Sequence, residues 1–355
     1  MTLKILMISN AAPSKQHPYS GIFIYNTINV LKKNGQKIDW IHIKKDLKKY
    51  RIIKIMKYVY LYFKTIIFFL FYKYDIIHIH FISHTGLLGL LLKKIKPKVP
   101  LVINFHGSDL FSSREIPIQS IISNADLLIS PSTIFLNKIK KKYEINIPYY
   151  IYPSGGIDCD LFYPYKINSK TNSEFHLGYV SRLTERKGIW DFIYALEKLN
   201  FPKIKIIAHI IGIGPETDRV KDYIKHSKGK IYFNYHGSIN HKELPKFYNK
   251  FDLFIFPTKR SDSESLGLVA LEALACGIPI IGTDIPITKL YIKDGYNGFI
   301  YKKGNINSLT NCLQKYYKME SNLKDQMKSN SREIALNFEK NKVTKKLINK
   351  YKDIL

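Results

Sequence analysis

Cysteine is scarce in this sequence of 355 residues: there are three, Cys159, Cys276 and Cys312. They are widely spaced and odd in number, which excludes a disulfide framework and a zinc-ligand pattern and points to a reducing, cytoplasmic setting. Acidic residues are also few. Only 28 Asp and Glu stand against 56 Lys and Arg, for a net charge of +28. No helix-turn-helix, zinc-finger or RRM signature accompanies that charge, so no nucleic-acid partner is expected, and an anionic membrane surface is the other explanation. Within residues 44–73 the longest uncharged run, Thr65 to Tyr72, is too short for the ~20 residues that a membrane-spanning helix requires. A signal-peptide pattern is missing as well, and residues 3–8 read directly as a buried strand.

What is present is material for two domains: hydrophobic residues make up 45% of the chain, enough for two full cores. Strand-like apolar runs alternate with amphipathic helical segments throughout, the pattern of parallel α/β sheets. The charge is uneven. Residues 1–150 hold 23 Lys and Arg against 7 Asp and Glu, and the remainder 33 against 21. Residues 44–73 concentrate nine of the basic residues with one acid, among Ile, Tyr, Phe and Met. This reads as a long helix whose basic and apolar faces suit a membrane surface, or as a domain helix packed on its sheet.

The stretch 251–279 organises the rest. A buried strand, 251–256, is closed by Pro257; a polar loop follows; good helix formers run from Gly267 to Ala275, and Gly277 and Pro279 end them. Strand, loop and helix start is how α/β sheets present a ligand site, and free N–H groups at the helix tip suit an anion such as diphosphate. Glu264 lies before the helix and Glu272 inside it, roughly 7 Å along the axis from Gly267 at ~1.5 Å per residue. From spacing alone, a solvent-facing Glu264 and a salt-bridged Glu272 remain open.

The segment E-S-L-G-L-V-A-L-E-A-L-A-C-G-I-P, with its two glutamates seven residues apart, resembles the signature of the retaining glycosyltransferases of family 4. The resemblance extends along most of the chain. It implies the GT-B fold: α/β, two Rossmann-like doubly wound domains facing a cleft, with a C-terminal helix crossing back to the first domain. On that pattern residues 1–165, completed by 336–355, form an acceptor-side domain, and 166–335 bind a nucleotide sugar. Glu264 would lie by the donor sugar, Glu272 would hold the ribose, and the backbone of Ser265, Leu266, Gly267 and Leu268 would meet the diphosphate. Leu266 departs from the family, which often has Phe there.

Other segments fit the same frame. Ser181-Arg182-Leu183-Thr184-Glu185-Arg186-Lys187-Gly188 resembles the family's basic loop, and makes Arg182 and Lys187 the cations beside the departing phosphate; Tyr179 stands where a Gly-like neighbour is common. Gly21 at a helix start and Gly214 in a G-x-G turn are donor-binding candidates. His106 in the His106-Gly107-Ser108-Asp109 turn would lie near the donor sugar, with Asp109 an acceptor-side candidate. His78 and His80 share one face of a strand without a third metal ligand. The triplet Asp158-Cys159-Asp160 mimics a metal-binding D-x-D, yet resembles a turn before the interdomain linker. Neither a divalent metal nor a cofactor is expected.

The reading is therefore a retaining hexosyl-type glycosyltransferase using a nucleotide-sugar donor. Its expected acceptor is a glycan or lipid-linked molecule of bacterial surface polysaccharide synthesis (lipopolysaccharide, O-antigen or capsule), met at the inner face of the cell membrane. The alternatives are another GT-B activity, such as nucleotide-sugar epimerisation, and a non-catalytic basic membrane-surface module. The set Glu264, Glu272, Arg182 and Lys187 argues against the last.

Overall fold

The computed structural model describes residues 1–14, 20–44, 51–107, 109–111, 116–167, 173–201, 204–227, 229–259 and 264–355. The chain divides into two compact units, Met1–Gly156 with Lys340–Leu355, and Ile157–Glu339.

In the first unit, strands β1 (Lys4–Ser9), β2 (Lys37–His42), β3 (Ile76–His80), β4 (Leu101–Asn104), β5 (Leu127–Ser130) and β6 (Tyr149–Ile151) form one sheet in the order β2-β1-β3-β4-β5-β6. Every neighbouring pair is parallel. Parallel pairing needs crossovers, which α1 (Ile22–Lys33), α2 (Arg51–Phe71), α3 (Ile82–Ile95), α4 (Ile118–Ser123) and α5 (Thr133–Lys142) supply. Helices on both faces explain why β3, β4 and β5 are buried at every residue.

The second unit repeats the plan with β7 (Glu174–Val180), β8 (Lys205–Ile211), β9 (Ile231–Gly237), β10 (Leu253–Phe256), β11 (Ile280–Thr283) and β12 (Gly298–Tyr301), in the order β12-β11-β10-β7-β8-β9. Its helices are α6 (Ile189–Glu197), α7 (Thr217–His226), α8 (Leu244–Tyr248), α9 (Leu268–Ala275), α10 (Ile306–Lys318) and α11 (Ser321–Leu336). The strand order reverses between β7 and β10, so the loops after these two strands leave the sheet side by side and diverge. In doubly wound sheets such a switch point is where ligands bind.

The segment after Gly156 packs with the second unit: Ile157, Cys159 and Phe162 are buried with Tyr248, Ala275 and Cys276. Arg332 fixes it by donating to the Phe162 and Cys159 carbonyls at 2.7 and 3.1 Å. Of the polar stretch 168–173 that follows, only Ser173 lies among the described residues. The helical tail resolves into α11 and a final helix, α12 (Lys340–Lys352). Val343, Leu347, Ile348 and Tyr351 of α12 are buried in the first unit's core with Ile24, Ile28 and Leu31 of α1.

Candidate functional site

The loop after β7 and the loop after β10 meet at the switch point. The first turns through Glu185–Lys187 into α6 at Gly188, whose φ is +74°. A Cβ at Gly188 would overlap the Pro257 carbonyl oxygen at the end of β10, so only glycine lets the two backbones approach this closely. That approach carries Lys187 to Glu264. Their side chains form an ion pair, Lys187 Nζ to Glu264 Oε2, with only 18% and 10% of the side-chain surfaces exposed. Thr258 Oγ1 also donates to Glu264, at 3.5 Å. Residues 260–263 of this loop lie outside the described residues.

Gly267 begins α9 in the left-handed region, φ +79°, and a Cβ there would come within 2.7 Å of the Tyr291 hydroxyl and 2.8 Å of the Phe256 ring. The Tyr291 side chain is fully buried and its hydroxyl has no hydrogen-bond partner among the described residues. Leu266 is buried in the apolar core beside α9, and Ser265 and Leu268 are half-buried. Eight residues form α9; its tip presents unsatisfied N–H groups and a partial positive charge.

Glu272 lies on the buried side of α9. Its Oε1 pairs with His241 Nε2 at 2.8 Å, and its Oε2 accepts from the Tyr248 hydroxyl at 3.1 Å. Burial opposes charge on His241, but the hydrogen bond and charge of Glu272, helped by Asp158, outweigh it and raise its pKa above the usual 6.5. His241 and Tyr248 carry no sequence signal as partners of Glu272, since they lie 31 and 24 residues from it and only the fold of α8 against α9 brings them in. The carboxylate pair is thus set in two different surroundings, Glu264 against a cation and Glu272 between an imidazole and a phenol.

Arg182 stands exposed on the loop after β7 with no ion-pair partner among the described residues. Gly214 follows β8, and a Cβ there would overlap the Leu183 carbonyl oxygen. Its glycine is thereby explained by packing against the Arg182 loop. Leu183 N donates to the Ile213 carbonyl at 3.1 Å and Glu216 N to the Leu183 carbonyl at 3.1 Å, so these two loops form one rigid rim.

In the first unit His106 follows β4. Its Nε2 lies 3.1 Å from His80 Nδ1, and His80 stacks on His78 with ring centroids 4.4 Å apart. The Tyr351 hydroxyl of α12 closes the row at 2.8 Å from His78 Nδ1. Burial lowers the pKa of His78 and His106 to about 3 and that of His80 well below 6.5, so all three rings are neutral at physiological pH. His106 can therefore offer a hydrogen bond but not a positive charge. Phe81, at φ +62°, packs its ring 4.3 Å from His106; an aromatic residue in that region is unusual and marks a constrained turn. Asp109 is fully buried. It accepts from His106 N at 2.8 Å and from Ser83 N and Oγ at 3.1 and 2.7 Å. Burial raises its pKa, and these hydrogen bonds offset only part of that rise; here the carboxylate braces the His106 turn. Ser108 lies outside the described residues. Gly21 caps α1 with φ +66°, and a Cβ would come within 2.7 Å of the Ala11 carbonyl oxygen.

Among the described residues, no group of three or more His, Cys, Asp and Glu side chains is arranged so as to hold a metal ion. Asp158 accepts from Leu161 N at 3.2 Å, as a turn residue does.

Both units match known families. Residues 165–334 match the family model for glycosyl transferases group 1, and residues 41–160 match that for glycosyltransferase family 4. The chain belongs to glycosyltransferase family 4. The enzyme is 25% identical over 358 residues to an uncharacterized glycosyltransferase of Methanocaldococcus jannaschii, covering 95% of this chain and 94% of that one. It is 26% identical to the alpha-monoglucosyldiacylglycerol synthase of Acholeplasma laidlawii, over 74% of this chain and 71% of that protein. Among solved structures it superposes on the sucrose-phosphate synthase of Thermosynechococcus elongatus with TM-score 0.79 at 18% identity, covering 99% of both chains. Anabaena HepE in complex with UDP-glucose superposes with TM-score 0.71 at 17% identity, over 99% of this chain and 100% of that one. The enzyme has the two-domain α/β architecture of the GT-B fold.

Proposed function

We propose that the enzyme transfers a sugar from a nucleotide-sugar donor to an acceptor hydroxyl with retention at the anomeric carbon. The observation that carries this reading is the Lys187–Glu264 pair at the β7/β10 switch point, beside the tip of α9. A diphosphate bound there competes with Glu264 for Lys187. Lys187 and the exposed Arg182 then neutralise the charge that grows on the leaving diphosphate, and Glu264 turns to the sugar hydroxyls. Glu272, oriented by His241 and Tyr248, receives the ribose. The lysine and arginine supply the positive charge that a divalent cation would otherwise provide, so the reaction proceeds in EDTA. The HepE complex with UDP-glucose supports the donor class.

The acceptor is a lipid-linked or glycan molecule at an anionic membrane, in polysaccharide or glycolipid assembly at the cell surface. Support comes from the basic balance of residues 1–150, 23 against 7. The glycolipid synthase of A. laidlawii and a putative colanic acid biosynthesis glycosyltransferase of Salmonella typhimurium, 23% identical, point the same way. A thermal-shift screen of UDP-, GDP- and ADP-sugars tests the core of this reading. One donor should raise the melting temperature, and with acceptor present it should yield a product of unchanged anomeric configuration, in EDTA as in magnesium. Release of free nucleotide and an epimerised sugar without acceptor would establish the epimerase instead, and no shift with any donor would refute both.

A further inference from the structure

Helix α2 carries apolar residues on both its inner and its outer side. Its inner side is satisfied: Leu61 and Phe69 are buried in the core with Ile77, Ile79 and Leu88, and Thr65 Oγ1 donates to the Leu61 carbonyl at 2.7 Å. Its outer side is apolar too. Ile52, Ile55, Met56, Val59, Tyr60 and Phe63 are each between 55% and 72% exposed, and Leu70 and Phe71 extend the stripe at 52% and 80%. The spacing of three and four residues keeps them on one face, a strip roughly 30 Å long at ~1.5 Å per residue. Single exposed apolar residues are ordinary, but a continuous strip of this size marks a contact surface.

The charges around it select the partner. Lys57 and Lys64 lie along one margin of the strip, with Lys64 Nζ 5.6 and 5.7 Å from the Tyr60 and Phe68 ring centroids, and Lys73 stands exposed just beyond the helix end. Asp46 is the sole acid between residues 44 and 73. A second copy of this chain would bring the same lysines, and a net charge of +28, against one another. An anionic bilayer meets both features at once, acyl chains for the strip and phosphates for the lysines. The helix lies in the surface rather than across it. No helix among the described residues is long and apolar enough to span, and the inner side of α2 is committed to the protein core.

We propose that α2 is a membrane-insertion element that sinks its Ile52–Phe71 face into the headgroup–acyl boundary of an anionic bilayer, with Lys64 and Lys73 at the phosphates. This deepens the lipid-linked acceptor reading and rests on it for its purpose. The test is flotation of the full chain with vesicles of phosphatidylglycerol and phosphatidylcholine. The variant Met56→Ser/Phe63→Ser should lower partitioning about 10-fold per site, roughly 100-fold in all. It should melt as the wild type does, since both side chains are exposed. Lys64→Gln/Lys73→Gln should weaken binding chiefly at low salt. A Tyr60→Trp reporter should shift its emission to the blue when vesicles are added. Wild-type-like flotation of the Met56/Phe63 variant, or an unmoved emission from the Tyr60→Trp reporter, overturns the proposal. So does a wild-type dimer in sedimentation that the variant converts to monomer. If the enzyme floats through α2 but glycosylates only a water-soluble acceptor, the acceptor reading fails and the insertion element stands; if it glycosylates lipid and floats without α2, the reverse holds.

Discussion

The Lys187–Glu264 pair permits a prediction that separates structure from chemistry. Changing Lys187 to Ala removes the cation from Glu264, whose side chain is 10% exposed in the intact pair, and leaves it the long hydrogen bond from the Thr258 hydroxyl, at 3.5 Å. Breaking a fully buried ion pair by removing one partner costs about 3–5 kcal/mol. Both side chains here keep some contact with water, which screens part of that, so about 2–3 kcal/mol is expected. For a unit of this size each kcal/mol moves the melting temperature by about 2–4 °C, giving a fall of about 5–10 °C. The second change, Glu264→Gln in the same chain, removes the uncompensated charge and should restore most of the lost stability. Activity should not return. Without a fixed cation beside the leaving diphosphate, turnover should drop about 10²–10³-fold in both variants. Calorimetric melting and initial rates on the two purified variants check this. A double variant no more stable than Lys187→Ala would refute the buried-charge argument, and near-normal turnover in either would remove Lys187 from the mechanism.

The other predictions concern the same unit. His241 binds its proton more tightly folded than unfolded. The stability it contributes is full below the ordinary value of 6.5 and is lost as pH rises through the elevated one; melting curves should show that loss in the wild type and not in His241→Asn. In titration calorimetry with the nucleoside diphosphate alone, Glu272→Gln should bind weakly and Glu264→Gln almost normally, and equal losses would contradict the division of roles. Gly188→Ala should destabilise by about 3 kcal/mol or more, from the left-handed φ and the overlap with Pro257 O together; a melting temperature within a degree of wild type would show that the two loops can separate.

Much of this protein is determined by its sequence alone. Period and punctuation set α1 at Ile22–Lys33 and the start of α9 after Gly267, because a left-handed cap and a run of good helix formers are local properties. The alternation of apolar strands with helices likewise forces parallel sheets. The tertiary structure decided what meets what. Lys187 and Glu264 are 77 residues apart, and they touch because the strand order reverses between β7 and β10, a choice of topology that no local pattern records. His241 and Tyr248 reach Glu272 because α8 packs in one core with α9. Asp109 looked available at a strand end, but Ser83 and the backbone of His106 take up its carboxylate, since a buried charge must be satisfied by whatever the fold places beside it. The sequence of α2 reads as a basic face and an apolar face, and left open whether the apolar one meets the sheet or a membrane; the packing of Leu61 and Phe69 on the sheet decided it, and left a second apolar strip exposed.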